Sequence, residues 1–377
     1  MQNSDFVRTL KTTESTNKGK YPFKVDFLLI IALIVLLAIS MLALFSATGE
    51  NIDYINRHLA FIGAGFFLML LISQISARTI ELWAFYIFGL TTILLILVII
   101  IGIDAKGAQR WLDLIIFRLQ PSELLKVSLP LALAAYLGRR ATPPIAKHVF
   151  WSIILISVPS FLIIFQPDLG TGILVFATGV TTLFLAGLRR RYIAGSLFIF
   201  LLTIPLMWIF MLRDYQKQRI LTLLSPEDDL LGSGWNIVQS KTAIGSGGLY
   251  GKGWLNGTQS QLDFLPESHT DFIIAVLAEE FGLIGVVCTL AAYAFLLSRC
   301  FFISAHAKSQ FGRLFAGSFA VMIFVHIFVN LGMVSGILPI VGAPLPLISF
   351  GGNSALTLFM GFGILTSISH EPRRIRS

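Results

Sequence analysis

Long apolar runs, separated by short polar segments, dominate the chain from residue 26 onward. Most runs are close to the roughly 20 residues that an α-helix needs to cross a hydrocarbon core about 30 Å thick. They do not show the ten-residue alternation typical of a membrane β-barrel. We therefore expect an all-α, polytopic integral membrane protein with about ten spans. The predicted spans are 26–47, 58–75, 80–103, 121–137, 149–166, 170–188, 192–212, 271–298, 312–335 and 347–369.

Composition agrees with this pattern. Of the 377 residues, 55% are hydrophobic and 13% are charged, and the mean hydropathy is +0.81, whereas a soluble domain carries about 25% charged residues. The first apolar run is longer than the roughly 7–15 residues of a cleaved signal-peptide core, so we keep it as a span. We predict one domain over residues 26–369, flanked by cytoplasmic tails over residues 1–25, which we expect to be disordered, and 370–377.

The distribution of Lys and Arg orients the predicted spans, because short cytoplasmic loops are enriched in both. With both termini in the cytoplasm, eighteen basic residues fall on the inner side and four in the short outer loops. The formal charge of +8 therefore reflects membrane topology and not a nucleic-acid-binding surface. The four outer residues are Arg57, Lys106, Arg110 and Arg118.

One outer loop, residues 213–270 between the seventh and eighth spans, is far longer than the others. Loops longer than about 12–15 residues usually carry function or disorder. Its interleaved Gly, Trp, Leu and Phe favour a folded segment against the membrane face. A nucleotide-binding P-loop is excluded, because Ser246 stands where the first glycine is needed and Gly253 where Ser or Thr must follow Lys252.

Ionisable side chains inside the predicted spans are few, and each is costly unless it faces a polar cavity or a partner. Glu123 and Lys126 are three residues apart, on one helical face. They form either a structural ion pair or part of an outward-facing cavity. Asp168 precedes the sixth span, where it either caps the helix or serves the same cavity.

The segment "FLPESHTDFIIAVLAEE", residues 264–280, places several acids where the eighth span begins. Asp271 is a candidate site residue, positioned after a Thr270 cap, or else a first-turn acid favoured by the helix dipole. Glu279 and Glu280 lie deeper and favour a structural or cavity-lining role. His269 has no metal-ligand spacing around it, which favours an ordinary loop histidine.

Several long motifs resemble one known family. "GAQRWLDL", "RLQPSELLK", "QPDLGTG", "GTQSQLDFLPESHTDF" and "NLGMVSGILPIVGAPLPLISFGGNS" are similar to motifs of the SEDS family (shape, elongation, division and sporulation). The resemblance covers nearly the whole chain after the polar leader, and the fourth motif is similar to the version found in rod-shape members. Phe350 and Asn353 differ from the commoner Tyr and Ser.

The resemblance implies a peptidoglycan glycosyltransferase that polymerises lipid II at the outer face of the bacterial cytoplasmic membrane. It implies a class B penicillin-binding protein as transpeptidase partner, together with other proteins of the elongation complex. Asp271 matches the family's essential aspartate. Glu123, Lys126 and Asp168 match conserved cavity residues, and Glu267 and His269 belong to the motif that carries Asp271.

The chemistry of glycan extension suits these residue types. Forming a β-linked glycan from an α-linked lipid diphosphate inverts the sugar carbon, so one general base is needed, and Asp271 is the candidate. A diphosphate leaves as a stabilised anion and needs a cation rather than an acid. The candidates for the cation that stabilises the diphosphate are Lys126, Arg110, Lys241 and a divalent cation such as magnesium or manganese. A lipid-precursor flippase or a scaffold for cell-wall enzymes are the rival functions.

The charge asymmetry predicts which positions are accessible from outside the cell. In a Cys288→Ala, Cys300→Ala background, a cysteine replacing Ser246 should react with a membrane-impermeant thiol reagent, and one replacing Ser309 should not. Labelling of position 309 alone in sealed cells would overturn the orientation.

Overall fold

The computed structural model describes residues 25–105, 108–113, 118–189, 192, 194–195, 205, 207–211, 214–224, 233–262, 264–265 and 267–371. Its first six helices are α1 Phe27–Ala47, α2 Ile52–Gln74, α3 Ala77–Ile101, α4 Pro121–Gly138, α5 Ala146–Phe165 and α6 Leu169–Leu185. After a π-helical turn at Met207–Met211 come α7 Asp214–Leu224, α8 Ser233–Gly247, α9 Thr258–Gln261, α10 Ile273–His306, α11 Gln310–Val334 and α12 Gly352–Ser369.

The helices match the predicted all-α membrane fold. Nine of the ten predicted spans overlap α1–α6 and α10–α12, whereas most of the predicted span 192–212 and of both tails lies outside the described residues. Six of the described helices, α1, α2, α3, α5, α10 and α11, are long and apolar enough to cross a membrane. Many large apolar side chains point outward, as lipid-facing residues do, including Phe27, Tyr86 and Ile100, each more than 70% exposed. The ten-span count stays a prediction.

Ion pairs define one end of the helix bundle, which we call the basic end. Arg299, near the end of α10, binds Asp26 at 2.7 Å, and Asp26 caps the start of α1. Arg139 at the end of α4 binds Glu81 near the start of α3 at 2.8 Å. The opposite end, where α1 ends and α10 begins, is called the site end, and a hydrogen bond from Ser268 to Ala47 O joins the two helices there.

Ser309 is a poor position for the accessibility experiment above. Its hydroxyl caps α11 and donates a hydrogen bond to Glu371 at 2.7 Å, and the residue is buried. Lys147 lies at the same basic end and is exposed, so a cysteine there reports the orientation without this shielding.

Helix α4 lies at the centre of the bundle. Fifteen of its eighteen residues are buried, and it packs against α3, α6, α11 and α12. Small residues let other helices approach closely, as is common in membrane bundles. A side chain at Gly65 would overlap the Phe359 ring, and one at Gly361 would overlap the Phe319 ring. The central position of α4 places Glu123 and Lys126 inside the protein.

A small antiparallel sheet connects α3 to α4, and the sequence analysis missed it. Its strands are β1 Ile103–Ala105, β2 Ala108–Asp113 and β3 Arg118–Leu119, in the order β1-β2-β3. The sheet carries Arg110 toward the site end, where α5 turns into α6.

The described parts of the long loop before α10, residues 214–224, 233–262, 264–265 and 267–270, are folded, as expected. Residues 248–253 of this loop are hydrogen bonded to a break in α10. Gly282 has φ +64°, and the described residues 248–253 hydrogen bond across the break. Lys252 N donates to Glu279 O at 3.0 Å, and Leu283 N donates to Gly248 O at 2.9 Å. Backbone groups freed by the break thus find partners in the loop.

The Glu279 and Glu280 carboxylates hold the same loop in place. Glu279 is fully buried and accepts hydrogen bonds from Lys252 Nζ at 2.7 Å and Thr258 Oγ1 at 3.0 Å. Glu280 accepts a hydrogen bond from the Ser46 hydroxyl at the end of α1. These contacts favour the structural role over the cavity-lining one.

The break predicts that Gly282 tolerates no side chain. A Cβ there would overlap the backbone of Leu249 and Gly251, and its positive φ strains any L-residue. Gly282→Ala should lower the free energy of unfolding by at least about 2 kcal/mol, measured by thermal unfolding in detergent. Gly89→Ala is the control, because nothing lies within 4 Å of a Cβ at that helical position. Equal stability of the two variants would contradict the prediction.

Candidate active site

The segment between α11 and α12, residues 335–351, is the element that brings the candidate residues together; we call it the 335–351 loop. Most of it is irregular backbone, and residues 345–349 are buried. It is hydrogen bonded to Arg219 at Ile340 and to Thr270 at Ser349, and it lies beside Lys241 at Gly336, Gly170 at Val341 and Asp271 at Gly342. Pro346 also lines the cavity that contains Glu123 and Lys126. The loop was noted in the sequence only as part of a family motif, and residues 347–351 were assigned to the last predicted span, whereas the helix begins at Gly352.

Asp271 is half-buried at the site end, two residues before α10 begins. Its backbone carbonyl accepts a hydrogen bond at 2.8 Å from Asn330 Nδ2, which also donates to Ala343 O at 2.7 Å. Its carboxylate oxygen Oδ2 is 3.6 Å from where a Cβ on Gly342 would stand. Gly342 has φ +70° and is exposed, so a molecule can approach the carboxylate from this side.

Hydrogen bonds on both sides of Asp271 fix the turn that carries it. Ser349 Oγ donates to Thr270 O at 2.5 Å, and Phe350 N donates to His269 O at 3.0 Å. The predicted Thr270 cap is wrong. The cap position of α10 is Phe272, with no side-chain hydrogen bond, and Thr270 donates instead to the Glu267 carboxylate at 2.9 Å. Glu267 itself has φ +58° in this tight turn.

Glu123 and Lys126 form the ion pair that their spacing predicts. Lys126 Nζ lies 2.6 Å from Glu123 Oε1, and the two side chains are 6% and 8% exposed. They share a small cavity with His326 of α11 and Ser354 of α12. His326 is buried, and among the described residues its Nε2 atom has no hydrogen-bond partner. The pair therefore lies inside the protein, not on an open surface.

Asp168 has the capping role that its sequence position suggests, whereas its service of a substrate cavity stays a prediction. Its carboxylate caps α6 by accepting a hydrogen bond from Thr171 N at 3.2 Å. It also lies 3.7 Å from the Nε atom of Arg110, whose Nη2 donates to Pro167 O at 2.6 Å. The Arg110 side chain is 35% exposed. Asp168 and Pro167 thus hold the Arg110 guanidinium in place, and part of the side chain remains exposed to solvent.

Lys241 and Arg219 bring two more cations to the 335–351 loop. Lys241 is exposed on α8 and lies against Gly336, where an added Cβ would be 2.7 Å from its Nζ atom. Arg219 of α7 donates to Ile340 O at 3.0 Å. Lys241 and Arg219 thus meet the loop at Gly336 and Ile340.

Sequence reasoning missed Asn330, His326 and Arg219. Asn330 and His326 are polar residues inside an apolar span, which is itself a signal of an internal partner or cavity. Arg219 lies in the long loop, where nothing in the spacing marks it. Its contact with Ile340 joins segments 121 residues apart in the chain, which only the fold reveals.

Whether a divalent cation takes part stays a prediction. The described residues contain no group of three or more His, Cys, Asp or Glu side chains placed to hold a metal ion. A metal that arrives bound to a diphosphate would be part of the substrate.

Comparisons with known proteins identify the family. The family model FTSW_RODA_SPOVE, described as "Cell cycle protein", matches residues 20–374. This chain belongs to that family. The peptidoglycan glycosyltransferase MrdB of Escherichia coli K12 is 48% identical over 367 residues, covering 97% of this chain and 99% of MrdB.

Solved structures of the family share the fold. A chain from a peptidoglycan synthase complex matches with a TM-score of 0.81 and 30% identity, covering 91% of this chain and 97% of that one. The rod-shape-determining protein RodA of Thermus thermophilus matches with a TM-score of 0.70 and 28% identity, covering 93% and 97%.

The buried ion pair predicts opposite effects of single and double substitutions. Lys126→Met leaves Glu123 buried beside no cation and should destabilise this SEDS protein by roughly 3 kcal/mol. Adding Glu123→Gln should restore the melting temperature to near that of the wild type, because an uncharged replacement of a buried pair is often neutral. Thermal unfolding in detergent measures both. A single variant as stable as the wild type would show that the pair is not buried in solution.

Proposed function

We propose that this SEDS protein is a peptidoglycan glycosyltransferase that polymerises lipid II during cell elongation, with Asp271 as its general base. The observation that carries the proposal is the position of Asp271. Its half-buried carboxylate faces exposed Gly342, at the end of the bundle where Arg110, Lys241 and Arg219 gather. Similarity to MrdB over nearly the full length of both chains supports the reaction class.

The proposal includes a location and a partner. The site end faces outward from the bacterial cytoplasmic membrane, and both termini lie in the cytoplasm. This orientation rests on the distribution of Lys and Arg along the sequence. The partner is a class B penicillin-binding protein, supported by the similar chain in a peptidoglycan synthase complex. Other elongation-complex proteins join them.

The chemical step moves one proton and exchanges two bonds. The acceptor hydroxyl oxygen attacks the anomeric carbon of the donor sugar from the face opposite the diphosphate. The new C–O bond forms as the bond to the diphosphate oxygen breaks, and the hydroxyl proton passes to the Asp271 carboxylate. The diphosphate leaves with the bonding electron pair as an anion, so no general acid is required.

Cations of the chain stabilise the leaving diphosphate. Arg110 and Lys241 both have exposed surface and contact the 335–351 loop directly or through the Asp168 turn. Lys126 is held by Glu123 inside the bundle, and it reaches a diphosphate only after this ion pair opens. Arg110 and Lys241 are therefore the first candidates for the anion.

The decisive experiment is polymerisation of labelled lipid II by purified protein, alone and with its cognate class B penicillin-binding protein. Moenomycin suppresses contaminating transferases of the other type, and a gel sizes the products. Asp271→Asn keeps the side-chain shape but loses the base, so polymer should fall by at least about 10²–10⁴-fold. Asp113→Asn removes an exposed carboxylate of β2 and serves as the matched control.

Each other outcome has a distinct meaning. Wild-type rates from Asp271→Asn would remove the base assignment. A wild type that makes no strands with its partner, yet moves lipid II across a vesicle bilayer, would favour a flippase. A wild type that does neither, and still recruits the partner, would favour a scaffold.

A further inference from the structure

We infer that Tyr54, His269 and Phe350 form a sugar-binding platform beside Asp271, which holds a ring of the acceptor glycan. The inference rests on the proposed glycosyltransferase function and adds a subsite to it. Tyr54 belongs to the first turn of α2, His269 to the turn that carries Asp271, and Phe350 to the end of the 335–351 loop.

The three rings are neighbours but are not coplanar: the interplanar angles are 58° for Tyr54–His269, 71° for Tyr54–Phe350 and 60° for His269–Phe350, so a sugar would pack on one ring face bordered by the edges of the other rings. The ring centroids of Tyr54 and His269 are 5.5 Å apart, those of Tyr54 and Phe350 are 5.4 Å apart, and those of His269 and Phe350 are 6.3 Å apart. These separations are typical of packed aromatic pairs. Three segments distant in the sequence therefore present their rings at one place.

Contacts with the buried residues His58 and Ser40 fix the inner side of the platform. The His58 ring lies 5.9 Å from that of Phe350, and its Nε2 atom is 3.0 Å from Ser40 Oγ. The same hydroxyl donates to Ile348 O at 2.8 Å. His58 and Ser40 are almost fully buried. Rings fixed in this way lose little entropy when a ligand binds to them.

The outer side of the platform is open and has a polar border. Tyr54 is 37% exposed, and His269 and Phe350 are half-buried. Arg57 is exposed and, three residues after Tyr54, shares its helical face. Asn56 is exposed next to it.

This combination suits an amino-sugar glycan. The axial C–H groups of a β-linked sugar form an apolar face that stacks on aromatic rings, and its hydroxyl and acetamido groups need polar neighbours. Arg57 matches the carboxylates that muramic-acid peptides carry. A lipid tail would gain nothing from this charged border.

The position of the platform beside Asp271 suits the acceptor sugar and not the donor sugar. His269 is two residues before Asp271, so a ring on the platform lies next to the proposed base. Of the cations suited to the donor's diphosphate, Lys241 lies against Gly336 and Arg219 donates to Ile340 O, ten or more residues before Phe350 in the 335–351 loop. Tyr54 lies at the start of α2, at the site end of the bundle.

Binding of a lipid-free glycan tests the platform without turnover. The probe is a tetrasaccharide of alternating N-acetylglucosamine and N-acetylmuramic acid, titrated against protein in nanodiscs and followed by saturation-transfer NMR. Wild-type protein should transfer saturation to the axial sugar protons. Tyr54→Ala should weaken binding about five- to tenfold. Tyr54→Phe keeps the ring and should bind within about twofold of the wild type.

Tyr86→Ala is the matched control, because Tyr86 is 73% exposed on α3, away from Asp271. It should bind the tetrasaccharide as the wild type does. In polymerisation assays Tyr54→Ala should also make shorter strands than Tyr86→Ala, because the growing end is held less firmly. Equal affinity of Tyr54→Ala and wild type, or no wild-type binding, would overturn the platform.

The two proposals fail separately. If the wild type binds the glycan but makes no polymer, the platform stands and the glycosyltransferase function falls. If it makes polymer and Tyr54→Ala changes neither binding nor strand length, only the platform falls. Loss of the penicillin-binding partner from Tyr54→Ala, with glycan binding unchanged, would assign the rings to a protein contact and overturn the sugar site.

Discussion

Irregular backbone inside a membrane protein must find hydrogen-bond partners in the protein itself, because hydrocarbon offers none. The 335–351 loop meets this constraint with side chains from four helices and one backbone hydrogen bond to the turn before α10. The side chain of Asn330 in α11 donates a hydrogen bond to Ala343 O, that of Arg219 in α7 to Ile340 O, and that of Ser40 in α1 to Ile348 O. Tyr293 of α10 donates to Pro346 O, and Phe350 N donates to His269 O in the turn before α10. The candidate site is assembled by the same contacts that make the loop stable.

The constraint also explains why Asp271 stands outside a helix. Asn330 holds the Asp271 carbonyl and the Ala343 carbonyl with one amide group, so the acid and the loop share a single anchor. Gly342 then leaves room in front of the carboxylate, where any side chain would narrow the approach. A helical Asp271 would have its carbonyl bound within its own helix, and this link between α10, α11 and the loop would be lost.

Local signals in the sequence were enough for the helices and for pairs close in the chain. Apolar run length predicted α1–α6 and α10–α12, spacing predicted the Glu123–Lys126 contact, and residue type predicted the Asp168 cap. The β-meander was missed because its strands are two to six residues long. The Thr270 cap was wrong because Glu267 competes for the hydroxyl. Asn330, Arg219 and the aromatic platform depend on contacts between segments far apart, which no local pattern encodes.

The closed Glu123–Lys126 pair limits how these residues can take part in the reaction. A ligand shifts the equilibrium between the closed ion pair and an open one only by its differential affinity for these two states. A diphosphate satisfies this condition, because it competes with the Glu123 carboxylate for the Lys126 ammonium. Release of Lys126 would, however, leave Glu123 buried without its cation, a cost that Ser354 in the same cavity is placed to reduce. His326 does not take this role as a neutral ring: its Nδ1 donates to Met322 O at 2.9 Å, so its Nε2 is an acceptor and must gain a proton before it can donate to Glu123.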